Sequence, residues 1–200
     1  MDARPAKNPR QSILNAAETL ILTRGYNGFS YKDIADIVGI RKASIHHHFP
    51  TKEDLAAAFV DGYFRRFEQW REQVGRLTVT QKLDAFLEMF KRVSNNAERI
   101  CPMGMLAAEY PTLPKSVQDS LRRLLGAMDQ WLVQVMAQGQ TEGYLRPEPH
   151  ASVMAKVLIN AMSGSMKIAR VFQDVNQLEQ VFQALMSMIR LKADSADATP

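Results

Sequence analysis

Residues 30–55, SYKDIADIVGIRKASIHHHFPTKEDL, admit very few folds. Ser30 followed three residues later by Asp33 is a helix-start pattern. Ser30 Oγ accepts from an orphan amide, and the Asp33 carboxylate sits at the positive helix end. A short helix over 31–38 then buries Ile34, Ala35 and Val38. Gly39 lets the backbone reverse with positive φ, and Ile40 plugs the turn. A second short helix runs over 41–49, anchored inward by Ile45 and Phe49 at i, i+4. Pro50 ends it, and Thr51-x-x-Asp54 caps the next helix, with Lys52 in its first turn. Two short helices locked at a steep angle by a glycine turn are the sequence form of a helix-turn-helix, which inserts its second helix into the DNA major groove. At 100° per residue, Ala43, His46 and His47 face away from the anchors, flanked by Lys42 and Ser44.

The run His46-His47-His48 is not a metal site. Consecutive helical positions splay by 100°, there is no H-x-x-x-H pair, and no second cysteine is present. His46 and His47 are read instead as donors toward DNA and His48 as packing toward the core. No cofactor is expected. Charge supports a nucleic-acid partner: residues 1–52 hold eight Lys/Arg against four Asp/Glu, whereas 53–200 hold seventeen of each. The excess positive charge therefore coincides with the helix-turn-helix, where it steers toward phosphate.

The remaining chain reads as all-α. A helix over 12–24 carries Ile13, Leu14, Ala17, Leu20 and Ile21, with Gly25 as its C-cap, after a disordered arm over 1–9 that includes Arg4 and Lys7. Apolar periodicity places further helices over 55–75, 80–97, 102–110, 114–143, 149–172 and 176–193, and a frayed tail over 194–200. Alternating strand patterns and hairpin turn pairs are missing. The expected organisation is a three-helix DNA-binding domain over 1–52 and a six-helix domain over 53–200. With 200 residues, one cysteine, no apolar signal core and no membrane-spanning run, the expected location is the cytoplasm, with no membrane partner.

Gly25-Tyr26, the run 30–40, Ala43-Ser44-Ile45 and the run 48–55 (HFPTKEDL) together resemble the DNA-binding domain of TetR-family transcriptional regulators. The resemblance covers about residues 10–60. It implies that Ser30 and Tyr31 touch phosphate and that Lys32 reaches toward a base edge. Lys42 and Ala43 would face bases, with Ser44, His47 and Lys52 on the phosphate backbone. The family usually has Tyr where this chain has His46, so that contact is altered and open to pH. The resemblance further implies a homodimer built on the last two helices and reading a pseudo-palindromic operator in double-stranded DNA. The small residues Ala161, Ser163, Gly164 and Ser165 and the stripe Leu178, Val181, Phe182, Leu185, Met186, Ile189 agree with close helix packing there.

The function expected is a repressor released from its operator by a small, apolar or electrophilic effector, with the fourth helix as the moving part. From the helices that enclose the pocket in similar proteins, the expected lining is Tyr63, Phe67, Met89, Met105, Glu109, Met128 and Trp131. Cys101 precedes Pro102 and is expected at the N-cap of the sixth helix. There the positive helix end and nearby Arg99 would favour thiolate. Residues 101–109 also resemble the electrophile-sensing branch of the family, which makes a thiol sensor acting through Cys101 the alternative. A ligand-independent DNA-organising protein is a further one. An enzyme is not expected: the chain offers no nucleophile–base–orienter set, and Cys101 with distant His150 is not a dyad.

Overall fold

The structure is a computed structural model and describes residues 8–94, 97 and 101–191. The arm over 1–7 with Arg4 and Lys7, Arg99, and the tail over 194–200 lie outside the described residues. Among the described residues the chain forms nine α-helices and no strand, with one isolated antiparallel bridge between Leu145 and Arg190. Two compact units result, one gathering 1–70 with 98–127 and the other 71–97 with 128–200.

The first unit contains α1 (Pro9–Arg24), α2 (Tyr31–Val38), α3 (Lys42–His48), most of α4 (Lys52–Gln73), α6 (Pro102–Ala108) and the start of α7 (Lys115–Thr141). Helix α1 begins three residues before the expected start. Asn8 is its N-cap, accepting from the Gln11 amide at 3.1 Å, and Pro9 supplies a pre-set first helical φ. Helix α2 carries the expected capping box: the Ser30 amide donates to Asp33 Oδ2 (2.8 Å), and the Lys32 amide donates to Ser30 Oγ (3.2 Å). Gly39 closes it in the left-handed region (φ 72°, ψ 34°), and the amides of Gly39 and Ile40 both return to the Ala35 carbonyl. Thr51 and Asp54 cap α4 reciprocally, at 3.0 and 3.1 Å. Ile13, Ile21, Ile34, Ile45, Phe49 and Leu55 form the core these caps enclose.

The second unit contains α5 (Val79–Ser94), α8 (Ala151–Phe172), α9 (Gln177–Ile189) and the ends of α4 and α7. Thr78 and Gln81 cap α5, and the helix stops at Ser94 rather than at 97, where Ala97 has a φ of 62° that no right-handed helix accepts. Helix α9 likewise ends early. The Arg146 amide donates to the Ile189 carbonyl (2.8 Å) and the Leu191 amide to the Tyr144 carbonyl (3.1 Å), so extended pairing replaces another helical turn. Phe86 lies at the centre, its ring 4.9 Å from Phe90 and stacked 5.9 Å from Trp131. Burying such a side chain contributes about 1.5–3 kcal/mol.

Candidate nucleic-acid interface and effector residues

Helix α3 buries Ile45 and leaves Lys42, Ala43, Ser44, His46 and His47 exposed, with Arg41 exposed at its N-cap. That is the division expected of a helix held by its inner face and reading with its outer one. Ser30 and Lys32 are exposed at the start of α2, Lys32 within 3.4 Å of Asp36. His46 Nδ1 lies 3.0 Å from the Pro50 carbonyl oxygen. A carbonyl only accepts, so Nδ1 carries the proton and Nε2 is left for contacts outside the chain. The His46 ring also meets Tyr31 edge-on at 4.8 Å. His48 is half-buried rather than fully inward.

Two of the residues expected on the phosphate backbone have partners within the head itself. Tyr31 is buried, and its hydroxyl reaches the carbonyl oxygens of Phe49 (2.9 Å) and Thr51 (2.5 Å), donating its one proton between them. Burial, then the nearby Asp54 carboxylate, pushes its pKa up to about 12. Lys52 is half-buried, and its ammonium donates to the Phe29 carbonyl while lying 4.3 Å from the Phe29 ring centre and 4.7 Å from that of Tyr26. Desolvation lowers its pKa, against the pull of Glu109 and Asp33. Both side chains are internal struts that tie the turn after α3 to the rest of the head.

Sequence reading missed Arg10, whose guanidinium stacks 4.9 Å above Phe49 at the edge of α3. It also missed what Glu109 does. Glu109, expected to line a pocket, accepts from the backbone amides of Tyr26 (2.5 Å) and Asn27 (2.9 Å), while Asn27 Nδ2 donates to Thr112 Oγ1 (2.9 Å). The approach is so close that a Cβ on Gly25 (φ 80°) would come within 2.6 Å of Glu109 Oε2. Gly25 is therefore required twice, by its φ and by the carboxylate.

The rest of the expected effector set divides between the units. Tyr63, Phe67, Cys101 and Met105 belong to the first, and Met89, Met128 and Trp131 to the second. The Tyr63 hydroxyl donates to Glu18 Oε1 (3.0 Å), Arg66 lies 4.2 Å over its ring, and burial raises its pKa. Cys101 is the N-cap of α6 as expected but is only 5% exposed. Trp131 lines a cavity of about 280 Å³ within the second unit, together with Arg71, Lys82, Gln134, Val135 and Gln138. Among the described residues no group of His, Cys, Asp and Glu is placed to hold a metal ion. No helix among them is long and apolar enough to cross a membrane.

A capped helix-turn-helix with an exposed, basic second helix defines a DNA-binding head, and the comparisons agree. The family described as "Bacterial regulatory proteins, tetR family" matches residues 13–59, and "Tetracyclin repressor-like, C-terminal domain" matches residues 79–185. A TetR-family regulator from Agrobacterium tumefaciens superposes with a TM-score of 0.85 at 31% identity, over 91% of this chain and 97% of that one. A TetR regulator from Legionella pneumophila gives 0.82 at 30% identity, over 93% and 100%. Among curated proteins, the HTH-type transcriptional repressor DhaR of Mycobacterium sp. (strain GP1) is 26% identical over 90% of this chain and 94% of its own length. The chain belongs to the TetR family, and is a DNA-binding transcriptional regulator rather than an enzyme.

Proposed function

We propose that the protein is a dimeric repressor, with a reading head over 1–52 and a control region over 53–200. In this reading α3 enters the major groove, Lys42 and Ala43 face base edges, and Ser30, Ser44 and His47 hold phosphates, with Lys32 reaching toward a base edge. His46 acts through Nε2, the ring nitrogen that the Pro50 carbonyl leaves for contacts outside the chain. The observation that carries the proposal is the outer face of α3: five of its seven residues are exposed polar or small side chains on a helix fixed by Ile45. Dimerisation is supported by exposed apolar residues concentrated on α8, α9 and their connection, including Val153, Val157, Ile168, Val171, Phe172 and Met188. Gly164 faces open space on the same helix. A dimer of this kind sets its half-sites about 34–36 Å apart.

Control by an effector enters through the second unit, whose cavity is open to solvent. The grip of Glu109 on the Tyr26 and Asn27 amides gives α6 a direct hold on the head, so a displaced α6 changes the presentation of α3. The deciding experiment is footprinting on DNA flanking the protein's own gene. The expected result is a protected pseudo-palindrome with two half-sites one helical turn or a multiple apart. Uniform protection of all DNA at similar affinity would instead identify a DNA-organising protein. Repeating the footprint with a thiol-reactive compound, for wild type and Cys101→Ser, separates an effector pocket from a thiol switch. The buried thiol favours the pocket.

A further inference from the structure

Asn27 and Gly28, in the turn between α1 and α2, carry a reactivity that DNA binding does not use. Of the seven asparagines in the chain, only Asn27 precedes a glycine. Cyclisation of an asparagine requires the next residue's backbone nitrogen to reach the side-chain Cγ, and a following glycine has no side chain to obstruct that approach. Both residues are exposed, and among the described residues the Gly28 amide donates to no acceptor. The turn also locks this pair in the sequence. A Cβ on Gly28 would lie 2.3 Å from the Arg24 carbonyl oxygen, so position 28 admits only glycine.

What holds Asn27 is α6 and the short turn that follows it. The Asn27 amide donates to Glu109 Oε1 at 2.9 Å, and Nδ2 donates to Thr112 Oγ1 at 2.9 Å. Thr112 Oγ1 gives its own single proton to the Glu109 carbonyl at 2.9 Å. Position 27 must therefore present a donor, since the Thr112 hydroxyl has only a lone pair left to offer. An aspartate there would set acceptor against acceptor and add a charge beside the Glu109 carboxylate. An isoaspartate routes the main chain through Cβ and would lengthen by one carbon a turn too tight for a methyl group at position 28. Either product undoes the contacts by which Glu109 and Thr112 hold the head. The same contacts restrain the reaction, because Cγ must turn from Thr112 toward the Gly28 nitrogen, which requires local opening of the turn.

We propose that Asn27 is a modification site: hydrolytic deamidation there releases the head from α6 and so limits the lifetime of the DNA-binding form. The Gly28 nitrogen bonds to Asn27 Cγ, and its proton leaves with Nδ2 as ammonia, giving a succinimide. Water then opens the ring to aspartate or isoaspartate, with no change of oxidation state. The effect on DNA rests on the reading above, in which the hold of Glu109 governs the presentation of α3. The test is incubation of the full chain at mildly alkaline pH, followed by peptide mass mapping. The tryptic peptide 25–32 is expected to gain one dalton before any other asparagine-bearing peptide. In Thr112→Val, which loses the bond to Nδ2, the gain is expected about two- to tenfold faster. Asn27→Ser keeps a donor but has no amide to lose, so its affinity for cognate DNA is expected to stay constant through the incubation. Deamidated wild type, separated by its added negative charge, is expected to show a lower urea midpoint and to bind cognate DNA about tenfold more weakly. No gain at 25–32, reaction first at another asparagine, or equal rates in wild type and Thr112→Val would overturn the site. An unchanged urea midpoint in the deamidated form would overturn the release of the head. A lowered midpoint with unchanged DNA affinity would instead sink the reading that Glu109 governs α3, with the modification site standing.

Discussion

The outer face of α3 and the turn around residues 25–29 use the same kinds of side chain in opposite ways. On α3, Lys42, Ser44 and His47 are exposed, and the helix is held by the apolar Ile45 beneath them. Around the turn, a lysine, a tyrosine and a glutamate are all turned inward: Lys52 against the Phe29 carbonyl and two rings, Tyr31 against two carbonyls, Glu109 against two amides. Charge alone therefore does not mark the interface. What separates Lys42 from Lys52, ten residues on, is whether the fold already supplies a partner for the ammonium.

Substitutions can break that contrast. Lys42→Ala is expected to have the largest effect, and only on DNA. A lost base contact costs about 1–3 kcal/mol at each half-site, so a dimer loses specific affinity by that amount twice over while random DNA binds nearly as before. Anisotropy titrations on cognate and scrambled duplexes measure it, and equal losses on both would remove Lys42 from base readout. Glu109→Ala comes next and acts on folding. It strips two backbone amides of their acceptor, at about 1–3 kcal/mol, and should lower the urea midpoint of the full chain. An unchanged midpoint would mean the grip of α6 on the head is incidental. Lys52→Ala is expected to cost about 1–2 kcal/mol of stability through the lost carbonyl and ring contacts. Its salt dependence of DNA binding should stay near that of the wild type. A reduced salt slope with unchanged stability would return Lys52 to the phosphate backbone.

The same contrast explains what could be read from the chain beforehand. Ser30 with Asp33, Gly39, and Thr51 with Asp54 were legible because each partner lies within four residues, where helix geometry alone dictates the meeting. The inner anchors Ile45 and Phe49 followed from periodicity. Glu109 was not legible, because its partners Tyr26 and Asn27 are 83 and 82 residues away and are backbone amides, which leave no trace in residue identity. The internal partner of Lys52 was not legible either, because it is a carbonyl 23 residues back. The early start of α1 at Pro9 was legible in principle, since Asn8-Pro9 is a cap followed by a favoured first residue, but the apolar pattern begins only at Ile13. The cavity lined by Trp131 needed three helices brought together before Arg71 and Lys82 shared its wall.

The smallest expected effect tests the local half of this division. Ser30 bonds through both its hydroxyl and its amide to the Asp33 carboxylate, and Arg24 lies 3.5 Å away, which together hold Asp33 below the usual carboxylate range. A pKa depressed in the folded state is a contribution to stability that is fully present above the unfolded carboxylate's pKa and is lost as pH falls through the folded value. Asp33→Asn keeps the shape and an acceptor oxygen but removes the charge, and with it the attraction to the positive end of α2. The variant should therefore be slightly less stable than wild type at about pH 7, and the two urea midpoints should converge in acid as the wild-type carboxylate takes up its proton. A gap that persists undiminished at about pH 3 would show that the cap works through shape alone. The charge at position 33 would then matter to the long-range field that draws DNA toward α3 and not to the helix that carries it.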